Sequence, residues 1–151
     1  MGMVKTLLRP TGFESPPQPN WHTLRFDGSC HGNGTDGATG RWAFHLTDSS
    51  GRTVGLSSGK SVARPTTNNI TEYEGLLNGL AHAVELSGVA GLRIEGDSDL
   101  VVNQVACQWK AKTPHLAELR DAALDMLTVF GRPWHISWIP RDENEFCDSL
   151  T

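Results

Sequence analysis

From Trp21 onward the chain alternates apolar and polar positions in three extended runs, His22 to Asp27, Arg41 to Thr47 and Thr53 to Val62. The glycine-rich segment 31–40 and Asp48-Ser-Ser-Gly51 separate them, so a period of two broken by turn residues predicts three antiparallel strands. The period then lengthens. Ile70, Tyr73, Leu76, Leu77, Leu80, Ala81 and Val84 recur three and four residues apart and share one face of an amphipathic helix that ends near Gly88. A short run from Leu92 to Glu95 reads as a fourth strand, and Leu100, Val101, Gln104 and Val105 read as a helix over 98–106. A further helix begins at Pro114, carries Leu116, Leu119, Ala123, Leu124, Leu127 and Phe130, and is closed by Gly131 before the strand-like 134–140. A hairpin run followed by strand-helix crossovers predicts an α/β domain with a mixed sheet, covered by helices and joined by right-handed connections.

Residues 1–20 break this pattern. They carry Pro10, Pro16, Pro17 and Pro19 with Gly12 and little apolar periodicity, which predicts a flexible N-terminal extension ahead of a folded domain over 21–151. A chain of 151 residues with 38% hydrophobic content supports one core and not two. Its formal net charge of -4 argues against holding nucleic acid by bulk attraction alone, although the carboxylates of a metal site count in that sum until cations occupy them. Cys30, Cys107 and Cys147 are odd in number and lack CxxC spacing, so a reducing compartment is expected and neither a disulfide framework nor a zinc site is indicated. No run approaches the ~20 apolar residues of a membrane span and no signal-peptide order is present, so a soluble, cytoplasmic protein with no membrane partner is expected.

Four acidic residues stand where apolar runs meet turns or helix starts: Asp27, Glu72, Asp97 and Asp148. Gathering anions costs mutual repulsion and lost hydration, and hard cations with oxygen ligands are the usual compensation, so the pattern points to Mg2+ or Mn2+. Two of the four also have a plainer reading. Glu72 follows Asn69 at capping-box spacing, with Asn69 as N-cap, and Asp97 suits the N-cap of the 98–106 helix. Glu74, two positions from Glu72, is expected to face solvent. The glycine-rich segment lacks the Lys-Ser/Thr ending of a nucleotide loop and reads as hairpin punctuation. The 6 histidines show no metal-ligand spacing. Trp42, Trp134 and Trp138 read as sheet packing, whereas Trp109, beside Lys110 and Lys112, reads as a contact surface.

The segments 27–33 (DGSCHGN), 66–80 (TTNNITEYEGLLNGL), 96–105 (GDSDLVVNQV) and 144–150 (NEFCDSL) together resemble ribonuclease H type 1, in this order and across Leu24 to Leu150. The resemblance implies a five-stranded sheet of order 3-2-1-4-5, its first three strands antiparallel. It also implies an endonuclease that hydrolyses the RNA strand of RNA/DNA hybrids with two Mg2+ or Mn2+ ions, leaving 5'-phosphate and 3'-hydroxyl ends, as a monomer without an organic cofactor. Asp27, Glu72, Asp97 and Asp148 match the family's metal-binding carboxylates, with Asp27 as the bridge between ions. Gly28, Ser29, Cys30, Asn33, Asn68, Asn69 and Ser98 match substrate-contacting positions, Thr67 resembles the phosphate-pocket threonine, and Trp109, Lys110 and Lys112 resemble the DNA-strand channel. Four departures follow. The chain between Gln104 and Leu116 is too short for a basic protrusion, and Asp99 replaces a neutral amide. Arg141 stands in the loop where many members have histidine; it cannot act as a base at neutral pH but is able to bind phosphate. Only Ser149, Leu150 and Thr151 follow Asp148, so no terminal helix is expected and Asp148 is expected to be loosely held. The alternatives are a related metal-dependent DNA nuclease and a non-catalytic hybrid-binding module.

Overall fold

The computed structural model of the chain describes residues 15–151. Most of the expected extension, residues 1–14, lies outside the described residues; Ser15 donates its backbone N–H to the carbonyl of Trp134 at 2.8 Å. Strands β1 (His22–His31), β2 (Thr39–Thr47) and β3 (Thr53–Lys60) lead into helix α1 (Asn68–Glu85) and strand β4 (Leu92–Gly96). Helices α2 (Asp99–Val105) and α3 (Pro114–Phe130), strand β5 (Trp134–Trp138), a 3-10 turn (Arg141–Glu143) and helix α4 (Glu145–Ser149) complete the chain. The sheet runs β3-β2-β1-β4-β5, with β1–β2 and β2–β3 antiparallel and β1–β4 and β4–β5 parallel, as the sequence predicted.

The core forms where the two periods meet. Tyr73, Leu76, Leu80 and Ala83 of α1 are fully buried against the alternate strand residues Leu24, Phe26, Phe44 and Leu46, with Leu127 of α3 and Ile94 of β4 in the same cluster. Each such side chain withdrawn from water contributes about 1.5–3 kcal/mol. This burial draws α1 onto β1 so closely that no side chain fits between them at two points. A Cβ on Gly28 would lie 2.4 Å from the Thr71 carbonyl carbon, and one on Gly75 would lie 2.8 Å from the carbonyl oxygens of Asp27 and Ala43.

Several local features differ from the sequence expectations. Helix α1 is capped by Thr67, whose Oγ1 accepts from Ile70 N–H at 3.2 Å, and not by Asn69, so the capping-box reading of Glu72 fails. Helix α2 is capped by Ser98, whose Oγ accepts from Val101 N–H at 3.3 Å, which removes the capping reading of Asp97. Glu74 is buried, because its Oε2 accepts the otherwise unmatched N–H of Val62 at 3.1 Å where the chain leaves β3. Trp138 is 51% exposed, unlike Trp134, and its Nε1 donates to the Asp97 carbonyl at 3.2 Å. Asp148 lies on a five-residue helix, correcting the expectation that the chain closes without one. Among the described residues no helix is long and apolar enough to cross a membrane.

The close approach of α1 predicts that Gly28→Ala costs about 3 kcal/mol or more, because backbone must move to admit the methyl group. Gly37→Ala, with nothing within 4 Å of the new Cβ, serves as the control and changes stability little. Urea unfolding midpoints of the two variants check the difference.

Candidate active site

Asp27 projects from the middle of β1 and is fully buried, Glu72 stands in the second turn of α1 at 4% exposure, and Asp97 follows the last residue of β4. The parallel register pairs Phe26 with Gly96, so the residues that follow, Asp27 in the middle of β1 and Asp97 just past β4, are neighbours. The glycine contact between α1 and β1 then brings Glu72 in from the side. One carboxylate oxygen from each of the three lies within 4.8 Å of the others.

This arrangement is electrostatically unfavourable on its own. Asp27 Oδ1, Glu72 Oε1 and Asp97 Oδ2 are buried without a hydrogen-bond partner among the described residues. Burial, and then the charges of Asp27 and Asp97, push the Glu72 carboxyl up to about 10. Burial, and then the Asp97 charge, push Asp27 up to about 7. A divalent cation removes both penalties, since it supplies the missing partner for each orphaned oxygen and cancels the repulsion. The nearby sulfur does not compete: Cys147 is buried, its Sγ–H faces the Arg25 carbonyl at 3.5 Å, and burial pushes its thiol up to about 12. The donor set is therefore all oxygen, which fits Mg2+ or Mn2+ better than a thiophilic metal.

Asp148 stands beside this group without joining the compact trio. It shares a hydrogen bond with Asp27 that contributes to the raised Asp27 carboxyl, and Arg141 Nε lies 3.8 Å from its Oδ1. Helix α4 holds it in place through a set of contacts that motif reading missed. Buried Asn144 donates from Nδ2 to the Phe26 carbonyl at 2.9 Å, its own carbonyl accepts from Asp148 N–H at 3.0 Å, and the Phe146 ring lies 4.7 Å from that of His45. Thr151 Oγ1 donates to Asp27 Oδ2 at 3.3 Å. Only its position four residues after the Asn-Glu-Phe start marks Asp148 as a member of the site, and no pattern in the sequence marks Thr151.

Comparison with known proteins places this geometry. Residues 25–151 match a family model described as reverse transcriptase-like. The bifunctional protein Rv2228c of Mycobacterium tuberculosis is 37% identical over 127 residues, which is 84% of this chain and 33% of that protein. The solved N-terminal RNase H domain of the same protein superposes with a TM-score of 0.77 at 30% identity, covering 86% of this chain and 89% of that one. The chain belongs to the ribonuclease H-like family. Ribonuclease HI of Halobacterium salinarum is 35% identical over 125 residues, 83% of this chain and 59% of that protein, and its crystal structure gives a TM-score of 0.73 at 32% identity over 85% and 92% of the two chains. LC11-RNase H1, solved in complex with an RNA/DNA hybrid, gives 0.75 at 26% identity over 85% and 92%. The chain thus spans a third to three fifths of the curated relatives' full lengths.

In this RNase H-like domain the other sequence-selected residues separate into groups. Asn33, Thr67 and Asn69 line one small groove of about 220 Å³ with Thr113 and His115, two residues that sequence reasoning did not select. Asn33 Oδ1 accepts from Asn68 N–H at 2.6 Å, tying the β1–β2 turn to the start of α1. Ser29 lines a larger groove, Cys30 is half-buried with its Sγ 3.7 Å from the Thr66 carbonyl, and Gly28 is covered by α1. Ser98 is occupied as a cap. Trp109 is 47% exposed and, like the exposed Lys110 and Lys112, lines neither groove.

The raised carboxyls fix the sign of a stability measurement. The metal-free native state keeps protons on Glu72 and Asp27 that the unfolded chain has lost above its ordinary carboxylate range, near 4.5 for Glu72, so stability falls as pH rises from there toward about 10. In EDTA the wild type should melt lower at about pH 8 than at about pH 5.5, Glu72→Gln should flatten this slope and melt higher than wild type at about pH 8, and Mg2+ should restore the wild type. Thermal melts across pH check it; a Glu72→Gln variant less stable than wild type in EDTA at about pH 8 contradicts the repulsion.

Proposed function

We propose that this domain is an endoribonuclease that hydrolyses the RNA strand of RNA/DNA hybrids with two Mg2+ ions, or Mn2+ in their place, leaving 5'-phosphate and 3'-hydroxyl ends. The observation that carries the reading is the trio of buried, unpartnered carboxylate oxygens of Asp27, Glu72 and Asp97, set on a fold shared with a relative solved on such a hybrid. Divalent ions held there would activate a water for attack and neutralise charge developing on the scissile phosphate.

The residues of the chain do the rest. Asp27, central among the acids, holds the shared position, Glu72 and Asp97 flank it, and Asp148 completes the set from α4. We assign substrate contact to Gly28, Ser29, Cys30, Asn33, Thr67, Asn68, Asn69 and Ser98, which lie on β1, the β1–β2 turn, the start of α1 and the cap of α2. Their hydroxyls, amides and backbone groups suit the 2'-hydroxyl, which distinguishes RNA from DNA by hydrogen bonding and not by charge. Trp109 with Lys110 and Lys112 offers an exposed ring and two cations to the DNA strand. Arg141, with 74% of its side chain exposed and only 3.8 Å from Asp148, is placed to bind a phosphate oxygen.

Cleavage of an end-labelled hybrid, beside single-stranded RNA, duplex RNA and duplex DNA, tests the reading. Hybrid-selective cutting that EDTA abolishes is expected, with Asp27→Asn lowering it by more than the about 10- to 100-fold lost when a group supporting a metal ligand is removed. Cutting of duplex DNA would instead favour a DNA nuclease, and hybrid binding without turnover a non-catalytic module.

For Arg141, Arg141→Ala should lower kcat/KM about tenfold, the loss of one charge-assisted contact, while Arg141→Lys keeps most of it. Wild-type rates for both variants would take Arg141 out of the reaction.

A further inference from the structure

A second concavity, of about 550 Å³, opens beside the carboxylates and plays no part in holding them. Its walls come from the end of β1, the β1–β2 turn and the segment that leaves β3, and Thr151, the residue whose hydroxyl reaches Asp27 Oδ2, is among its lining residues. Strand register builds its floor. Ser29 pairs with Arg41 and Arg41 pairs with Lys60, so these three side chains form one row across one face of the sheet, two residues along β1 from Asp27. Arg64, on the segment after β3, adds a third cation, and Asp36 is the one acidic side chain among the lining residues.

Four arginines of this chain are engaged elsewhere, while Arg52, Arg93, Lys110 and Lys112, like the three of the groove, show no ion pair among the described residues. Arg25 is held by Glu95 at 2.9 Å, Arg120 by Asp121 at 2.9 Å, Arg141 stands by Asp148, and Arg132 donates to the carbonyls of Phe130 and Val89. Arg41, Lys60 and Arg64 have no acidic partner among the described residues. A solvated face accounts for scattered surface cations. It does not account for three of them converging, with the hydroxyls of Ser29 and Ser61, on one concavity that runs into an anionic centre in a protein of net charge -4.

Resting on the reading above, we infer that this groove is a phosphate subsite for the cleaved strand: Arg41, Lys60 and Arg64 grip one or two phosphodiesters next to the scissile one and set where along the RNA the cut falls. The strand whose phosphate lies at Asp27 is the strand that continues past Thr151 into the groove. Backbone phosphates carry no base identity, so the subsite gives position and affinity without sequence preference.

The test combines Arg41→Ala/Lys60→Ala/Arg64→Ala with RNA strands carrying one uncharged methylphosphonate linkage, walked along both sides of the cut. Hybrid binding is measured in Ca2+ over a salt series, and cleavage in Mg2+. The triple variant should bind about tenfold or more weakly at low salt, and its log-affinity against log-salt slope should fall by about 1 to 2, since each phosphate contact contributes about 0.9. In the wild type, a neutral linkage at one or two positions on one side of the cut should slow cleavage at that site about tenfold. The same linkage should cost the triple variant nothing further, and Arg41→Lys/Arg64→Lys, which keeps the charges, should retain most of the wild-type affinity. An unchanged salt slope, or a neutral linkage that costs variant and wild type alike, overturns the subsite. Failure of the wild type to cut any hybrid overturns the endoribonuclease reading instead, and the Ca2+ binding series still decides the groove.

Discussion

At Gly28 and Gly75 helix α1 meets the sheet with no side chain between them, and the meeting of Glu72 with Asp27 and Asp97 depends on that contact. Gly28 faces the Thr71–Glu72 backbone and Gly75 faces the backbones of Asp27 and Ala43, at distances that a single methyl group would violate. The apolar stripe of α1 supplies the force that closes the gap, and the missing side chains permit it. Were α1 to stand off by the width of one methyl group, Glu72 would leave Asp27, and the cluster would dissolve into two neighbouring aspartates.

The cost of that closeness is carried as raised carboxyls and orphaned oxygens, not as distorted backbone. Three acids within 4.8 Å, two of them buried, weaken the metal-free fold, and the hydrophobic burial beneath them tolerates the loss. A destabilised centre at the rim of a well-packed core is the expected form of a site that gains its partner from solution. Asp148 follows a different logic. It is half exposed, flanked by Arg141, and fixed by backbone and ring contacts of α4, so its placement depends on Asn144 and Phe146 more than on the main core.

Much of this was legible in the sequence because it is periodic or local. Alternation gave the three-strand hairpin run, the i, i+3, i+4 spacing gave α1 and α3, and the acids sat at the ends of those patterns in contexts that resemble one family. What escaped sequence reading arises from tertiary pairing. Glu74 looks solvent-facing until the chain leaving β3 presents Val62 N–H to it. Thr67 and Ser98 displace Asn69 and Asp97 as caps because caps compete locally, and either residue satisfies the rule. Helix α4 is five residues long and has no periodicity to detect. Arg41, Lys60 and Arg64 lie on separate elements and meet only through strand register, so no motif contains them.

The central claim is that the buried carboxyls of Asp27 and Glu72, crowded by Asp97, keep protons that a divalent cation displaces. Calorimetric titration of the chain with Mn2+ near pH 7, repeated in buffers of different ionisation enthalpy, measures those protons directly. Saturable binding with net proton release, lost in Glu72→Gln, is the predicted result. Binding without proton release, or with the same release in Glu72→Gln, would show that the cluster is already ionised and that the buried repulsion inferred from its geometry is absent.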